Sequence, residues 1–108
     1  MAKSSIGLEE NVASLLCYLL GWISGLIFLL LERDNKTVKF HAIQSLVTFL
    51  GLHVISIILA FIPFLGWAVA SLISILAIVL WIFMMVKAYQ GEKIKLPIAG
   101  EIAEKHSA

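Results

Sequence analysis

The chain has 108 residues, of which 61% are hydrophobic and 14% are charged, and its formal net charge is +1. Soluble proteins average about 25% charged residues, and a chain this short buries only about 60–70% of its surface on folding. The small net charge leaves no basic surface for nucleic acid. These values exclude a water-soluble domain and a nucleic-acid-binding protein. They predict one small membrane domain, residues 1–108, whose main partner is the lipid bilayer.

The first predicted element is a transmembrane helix over about residues 12–31. This stretch contains no Asp, Glu, Lys or Arg, and as a helix it would be about 30 Å long, the thickness of the hydrocarbon core. It is longer than the apolar part of a signal peptide, and no small-residue cleavage site follows it. We therefore interpret it as a permanent span.

One face of this predicted span carries small residues at every fourth position, namely Cys17, Gly21 and Gly25. The two glycines form a GxxxG pattern, which lets two helix backbones approach closely in lipid. The partner is either another span of the same chain or a second copy. The pattern alone leaves both alternatives open.

A charged loop, residues 32–39, separates this span from the next apolar stretch. Residues 40–86 contain no charged side chain, and a single helix of that length would be about 70 Å long. Pro63 interrupts the stretch, because proline lacks a backbone N–H donor and disfavours helical geometry before it. The sequence therefore predicts two further spans, over about residues 40–62 and 67–86. The predicted fold is all-α: three transmembrane helices in an antiparallel bundle with a short interfacial C-terminal tail.

The distribution of Lys and Arg predicts the orientation. Seven of the eight lie in the loop 32–39 or in the tail 87–108, and only Lys3 precedes the first span. Because cytoplasmic segments carry an excess of Lys and Arg, we expect a protein of the cell membrane with the loop and tail in the cytoplasm and the N-terminus outside. If Pro63 instead marked a re-entrant dip, this assignment would fail. The tail alternates apolar and charged residues, so it is either an interfacial segment or disordered.

The second predicted span carries a polar face. Its members are His41, Gln44, Ser45, Thr48, His53 and Ser56. An unsatisfied polar group in hydrocarbon costs several kcal/mol, so this face should point toward other helices or a hydrated cleft. His53 lies near the middle of the span, where an ionisable side chain is a functional candidate. The alternative is a neutral histidine that bonds to a neighbouring helix.

Catalytic chemistry is not indicated. The predicted spans contain no carboxylate, and no His, Cys or carboxylate cluster has metal-ligand spacing. No phosphate-binding loop or paired nucleophile and base is recognisable. We expect neither enzymatic activity nor a cofactor nor a metal site.

Four short motifs give the chain a family resemblance. They are LEENVA at residues 8–13, FHAIQS at 40–45, YQGE at 89–92 and LPIAG at 96–100. Together they resemble a prokaryotic family of small membrane proteins of unknown function. That family is related to the Tic import subunit of the chloroplast inner envelope and to the magnetosome protein MamF. The resemblance implies a multi-pass helical protein without established enzymatic activity, and the matching motif positions are His41, Ala42, Gln44, Pro97 and Gly100.

Two functional hypotheses follow. The first is a non-enzymatic membrane protein that acts by self-assembly or by binding other membrane proteins, through the Gly21 and Gly25 face and the polar face of the second span. The second is a subunit of a small-solute or peptide transporter or channel, with a polar path along that span.

Overall fold

The computed structural model describes residues 7–107, and the regular elements of this part of the chain are all helices. The five helices are α1 (Glu10–Leu19), α2 (Trp22–Leu31), α3 (Lys36–Leu59), α4 (Leu65–Tyr89) and α5 (Ala99–Ser107). The molecule is elongated, 48 × 22 × 20 Å, and α3 contacts each of the other four helices. The predicted all-α class is confirmed.

The apolar stretch 12–31 is broken in its middle. Gly21 has a φ of +63°, a left-handed conformation that only glycine adopts without strain. The Ser24 hydroxyl accepts a hydrogen bond from the Leu20 N–H (3.0 Å) and donates one to the Cys17 carbonyl (3.0 Å). The Ser24 hydroxyl therefore bonds to two backbone groups at the break, the Leu20 N–H and the Cys17 carbonyl. In a continuous helix, such groups would bond to other backbone groups of the helix.

The prediction of three transmembrane helices is wrong. Within residues 7–107, only α3 and α4 are long and apolar enough to cross a membrane. Helices α1 and α2 have ten residues each, about 15 Å, which is half the thickness of the hydrocarbon core. Composition could not reveal this, because one straight helix and two half-length helices can have the same residues.

Helix α1 lies antiparallel to the end of α4. The Asn11 side-chain amide donates to the Tyr89 carbonyl (3.2 Å), and the Trp81 indole donates to the Leu19 carbonyl (3.2 Å). The start of α1 is therefore beside the end of α4, and its last residue is beside the middle of that helix.

Helix α2 returns along α3 toward the same end of the molecule. Its first residue, Trp22, makes an edge contact with the His53 ring, with 6.5 Å between centroids. Further along, Gly25 lies against Ala42 and Ser45, close to the beginning of α3. Helices α1 and α2 with residues 20–21 thus form a helical hairpin, which we call the re-entrant hairpin.

The predicted placement of the N-terminus on the opposite side of the membrane from the loop and tail stays a prediction. The start of α1, the loop and the tail lie at one end of the molecule, which we call the charged end. The loop itself is shorter than predicted, residues 32–35, because Asn35 caps α3 at Lys36 with bonds from Thr37 N and Val38 N. Residues 1–6, including Lys3, lie outside the described part.

The chain reverses between α3 and α4 in an uncharged turn, residues 60–64, that includes Pro63. Phe64 has a φ of +60°, and the Trp67 indole donates to the Ala60 carbonyl (3.2 Å). Gly66 allows a close approach here, because a Cβ at this position would collide with the Leu59 carbonyl oxygen. This turn is the apolar end of the molecule.

The C-terminal tail packs on α3, in contrast to the predicted alternative of a disordered tail, while its interfacial position stays a prediction. Helix α4 continues to Tyr89, and a non-helical segment over residues 92–96 leads to α5. Ala103 of α5 is fully buried and packs with Phe40 and Ile43 of α3. The alternation of apolar and charged residues therefore reflects packing on α3.

The described chain has two parts that differ in how many elements pack side by side, and we call them the thick half and the thin half. The thick half, residues 9–49 and 77–107, contains the re-entrant hairpin, the tail and α5, together with the adjoining parts of α3 and α4. The thin half, residues 50–76, contains only the remainder of α3 and α4 and their turn. The fully buried large side chains, such as Tyr18, Phe40 and Met84, all lie in the thick half. In the thin half Phe61 is 84% exposed.

Candidate functional site

A cluster of buried polar side chains joins three parts of the thick half. The Tyr18 hydroxyl of α1 lies 2.8 Å from His41 Nδ1 of α3, and Gln44 Nε2 donates to the same hydroxyl at 3.0 Å. Because Tyr18 accepts from Gln44, its own proton is available for His41 Nδ1. This assignment makes His41 a neutral imidazole that carries its hydrogen on Nε2. All three side chains are almost completely buried.

Gln44 also binds the backbone of the tail. Its Nε2 donates to the Ile94 carbonyl (2.7 Å), and its Oε1 accepts from the Leu96 N–H (2.9 Å). The side-chain amide thus pairs with residues 94–96 as a neighbouring β-strand would. Since the amide has two donors, which bond to Tyr18 and Ile94, both of its hydrogens have partners. We call Tyr18, His41, Gln44 and the backbone of 94–96 the tail clamp.

The predicted helix-packing residues lie against α3 of the same chain. A Cβ on Gly25 would be 2.8 Å from the Ala42 carbonyl oxygen and 3.1 Å from Ser45 Cβ. The Ser45 hydroxyl donates to the Gly21 carbonyl (2.9 Å), and Cys17 Sγ lies 3.7 Å from the Val38 carbonyl oxygen. The small residues therefore permit close packing of the re-entrant hairpin on α3.

The predicted polar face is divided between the two halves. His41, Gln44 and Ser45 are buried and bonded in the thick half. Thr48 lies at the boundary, and its buried Oγ1 has no hydrogen-bond partner among the described residues. His53 is exposed and Ser56 is half-buried, both in the thin half. The structure thus brings together the first three residues and leaves the last two apart.

The LPIAG motif shapes the turn that delivers α5 to α3. A Cβ on Gly100 would lie 2.8 Å from Lys95 Cα, so only glycine fits here without movement. The Gly100 N–H donates to the Leu96 carbonyl (2.8 Å), and the Ala99 N–H donates to the Pro97 carbonyl (2.7 Å). Four of the resembling motif positions, His41, Ala42, Gln44 and Gly100, therefore contribute to the packing of the hairpin and the tail on α3.

Sequence reasoning missed Tyr18, the central residue of the tail clamp. The available signal was a phenol within an apolar stretch, one residue from Cys17 on the predicted packing face. A buried tyrosine hydroxyl usually has a hydrogen-bond partner, so the polar face of α3 was the place to expect one.

A second polar site lies in a cleft below the tip of the re-entrant hairpin. The cleft has a volume of about 480 Å³ and lies between the start of α2 and the facing sides of α3 and α4. Its polar lining includes Trp22, His53 and Ser56, and in residues 7–107 none of these side chains has a hydrogen-bond partner. Ser74 also lines it, but its hydroxyl donates to the Ala70 carbonyl (2.9 Å).

Neither site is arranged for metal binding or for a recognisable reaction. Within residues 7–107, no group of three or more His, Cys, Asp or Glu side chains is placed to hold a metal ion. In the tail clamp the His41 imidazole contacts the Tyr18 phenol. The tail clamp fixes the tail and α1 to α3.

Several archaeal proteins resemble this chain along most of its length. Two UPF0132 membrane proteins of Methanocaldococcus jannaschii are 55% identical over 107 residues and 54% identical over 102 residues. These matches cover 99% and 94% of this chain, and 96% and 73% of the relatives. A UPF0132 membrane protein of Archaeoglobus fulgidus is 46% identical over 98 residues, covering 91% of this chain and 95% of the relative. No solved structure matches the chain.

The relatives are named membrane proteins, and α3 and α4 are long and apolar enough to cross a membrane. Both findings indicate that this chain is a membrane protein. The sequence pattern of the MamF and MmsF proteins matches residues 8–103, the range that holds the hairpin, the tail clamp and most of α5. The resemblance to MamF is thereby confirmed, while the relation to the Tic subunit stays a prediction. The chain belongs to the MamF/MmsF family, which is described as the magnetosome magnetite crystal formation protein family.

Proposed function

We propose that the protein is a non-enzymatic, multi-pass protein of the cell membrane that works by associating with a second copy of itself. The observation that carries this proposal is the cleft in which Trp22, His53 and Ser56 have no hydrogen-bond partner among the described residues. In a bilayer these groups face hydrocarbon, and each unsatisfied group costs several kcal/mol. Association would supply the missing partners.

A second copy suits the cleft because its polar groups are self-complementary. A neutral imidazole has one donor and one acceptor, and a serine hydroxyl can do both. In a two-fold dimer the same surface meets itself, so His53 of one copy can pair with Ser56 of the other. The Gly21 and Gly25 face does not serve this purpose, since it packs on α3 of its own chain.

The charged end lies in the cytoplasm in this proposal. All Lys and Arg residues precede residue 40 or follow residue 86, and the turn 60–64 has none. If α3 and α4 are the two complete spans of residues 7–107, the loop 32–35, the start of α1 and the tail share one side. The excess of positive charge favours the cytoplasm for that side, and we expect the turn 60–64 to reach the outer face.

The transporter or channel hypothesis has less support. A polar path along α3 would have to include His41, Gln44 and Ser45, and these side chains bond to Tyr18, the tail and the re-entrant hairpin. A path through the thick half therefore requires the tail clamp to open. The family's description names magnetite crystal formation. In residues 7–107, however, no group of three or more His, Cys, Asp or Glu side chains is placed to hold a metal ion.

Cysteine cross-linking in native membranes tests the dimer. Ser56→Cys places a thiol in the cleft, and Ile75→Cys places one on an exposed part of α4 that does not line it. We expect a short bifunctional maleimide to cross-link Ser56→Cys into dimers and to leave Ile75→Cys monomeric, with the buried Cys17 unreactive. Mass measurement in mild detergent should show a dimer. Equal cross-linking of both variants, or of neither, would contradict the proposal.

A further inference from the structure

The described helices are unevenly distributed along the membrane normal. The re-entrant hairpin ends at Gly21, where an added Cβ would lie 3.7 Å from Phe49 Cβ, near the middle of α3. On the other side of α3, the tail descends to a similar level. Residues 96–99 line a groove of about 510 Å³ together with Val47, Thr48 and Gly51. Both insertions therefore stop at the boundary between the thick and the thin half.

The surfaces of these insertions are apolar and face outward. Leu20 is 62% exposed and Leu30 is 74% exposed on the re-entrant hairpin, and Ile98 is 74% exposed at the bottom of the tail. Side chains of this kind are stable in contact with lipid tails but not with water. The hairpin and the lower part of the tail consequently occupy space among the lipids of one leaflet.

The two leaflets hold different amounts of protein as a result. The thin half contributes two helices to its leaflet, while the thick half contributes α1 and α2 in addition to α3 and α4, and also the tail. A helix with its side chains is about 10–12 Å across, so two extra helices add roughly 150–230 Å² to the cross-section. The protein thus has the form of a wedge whose wide side is the charged end.

We propose that this protein senses and promotes membrane curvature, with its thick half in the convex leaflet. A wedge fits a bilayer whose leaflet on the wide side is expanded, and it strains a flat one. Interfacial elements inserted into one leaflet show curvature-dependent binding for the same reason. The inference uses the shape of a single copy, so it does not depend on the dimer of the proposed function.

Reconstitution of the wild-type chain into vesicles of small and of large diameter tests the wedge. Protease cleavage of the tail in sealed vesicles reports how many copies have the charged end outside. On small vesicles we expect a several-fold higher protein density per lipid and an excess of copies with the charged end outside. Copies facing the lumen should be depleted there, because their wide side lies in the concave leaflet.

The orientation measurement separates a wedge from a general affinity for strained lipid. Equal density on both vesicle sizes would overturn the proposal. Enrichment on small vesicles that is the same for both orientations would also overturn it, since shape would then have no role. Both results are obtained with the unmodified protein and do not depend on the folding of a variant.

A pair of glycine variants locates the origin of the effect. Gly21→Ala with Ser24→Ala removes the left-handed residue and the hydroxyl that bonds the turn, and so favours a continuous helix. Gly51→Ala is the matched control, because an added Cβ meets nothing within 4 Å there. We expect the double variant to lose the preference for small vesicles and the control to keep it. A double variant whose first helix crosses the membrane and which still prefers small vesicles would contradict the inference.

Discussion

Two pairs of polar residues on α3, one in the thick half and one in the thin half, have different surroundings. In the thick half, Tyr18, His41 and Gln44 bond to one another and to the tail. In the thin half, His53 and Ser56 lie beside an open cleft without a partner among the described residues. Polar groups in the same helix thus bond within the fold at one end, and at the other end we propose that they pair with a second copy. The position of a polar residue along α3 determines its role more than its residue type does.

The largest expected effect comes from filling the closest contact in the thick half. At Gly25, even a single added Cβ would lie only 2.8 Å from the Ala42 carbonyl oxygen. The larger side chain of Gly25→Leu therefore has no room without a shift of α2 or α3. We expect a loss of unfolding free energy of about 3 kcal/mol, at the upper part of the usual range for overpacking. Gly51→Leu, where the site is open, is the control and should change stability little. Chemical unfolding in mild detergent measures both, and equal effects would contradict the packing described.

Removal of the Gln44 amide should release the tail. Gln44→Leu leaves the Ile94 carbonyl and the Leu96 N–H without their partner, and we expect a total loss of about 2 kcal/mol because water can reach both groups once the tail is released. We expect faster amide hydrogen exchange at Leu96 and faster protease cleavage near Lys95. Gln90→Leu is the matched control, because Gln90 is exposed after α4. Unchanged exchange in Gln44→Leu would show that the tail is held by other contacts.

A smaller effect is expected from the single hydroxyl of the clamp. Tyr18→Phe removes one hydrogen bond to His41 and one from Gln44 while it keeps the ring packing against Phe49. The expected loss is about 1–2 kcal/mol of unfolding free energy. Tyr89→Phe, at an exposed tyrosine, should be neutral. A Tyr18→Phe protein as stable as the wild type would mean that the hydroxyl bonds add nothing.

The two intramembrane histidines provide the most direct contrast between the halves. His41→Leu should destabilise the monomer, because it leaves the buried Tyr18 hydroxyl without an acceptor. His53→Leu should leave monomer stability unchanged within about 0.5 kcal/mol, as for other substitutions away from packed contacts, but reduce the dimer fraction. Unfolding and cross-linking on the same samples measure both properties. A reversal of the two effects would refute the division of roles.

The smallest effect concerns the exposed ion pair of the tail, in which Lys95 Nζ lies 2.9 Å from the Glu104 carboxylate. The hydrogen bond and the positive charge of Lys95 lower the pKa of the Glu104 carboxyl. The pair therefore stabilises the fold above the pKa of an unperturbed glutamate, and this contribution is lost as the pH falls through the lowered value. Since the Glu104 side chain is exposed, we expect little change in stability and mainly a change in the pKa of this carboxyl. Nuclear magnetic resonance should show its pKa rise in Lys95→Met, and an unchanged value would exclude the pair in solution.

Much of the fold was accessible from the sequence, and the reason lies in the charge-free stretch 40–86. Its length required two helices, and Pro63 marked the turn between them. The re-entrant hairpin was not accessible, since it depends on the positive φ of Gly21 and on the bonds of Ser24. Neither feature changes the hydropathy of the stretch.

Only part of the candidate site could be predicted from the sequence. Helical periodicity placed His41 and Gln44 on one face, but the partners of that face come from distant parts of the chain. The tail residues Ile94 and Leu96 bond through their backbone atoms, so their side chains give no signal of the contact. Tyr18 was recognisable only as a hydroxyl in need of a partner.

The central claim is that residues 12–31 form a re-entrant hairpin and not a membrane span. Labelling of introduced cysteines in intact cells with a membrane-impermeant reagent tests it directly, using Glu9→Cys, Phe61→Cys and Glu104→Cys beside the buried Cys17. The account predicts that only the cysteine at position 61 reacts from outside and that the other two react after the membrane is opened. Reaction from outside at position 9, with position 104 still protected, would establish a third span and contradict the hairpin.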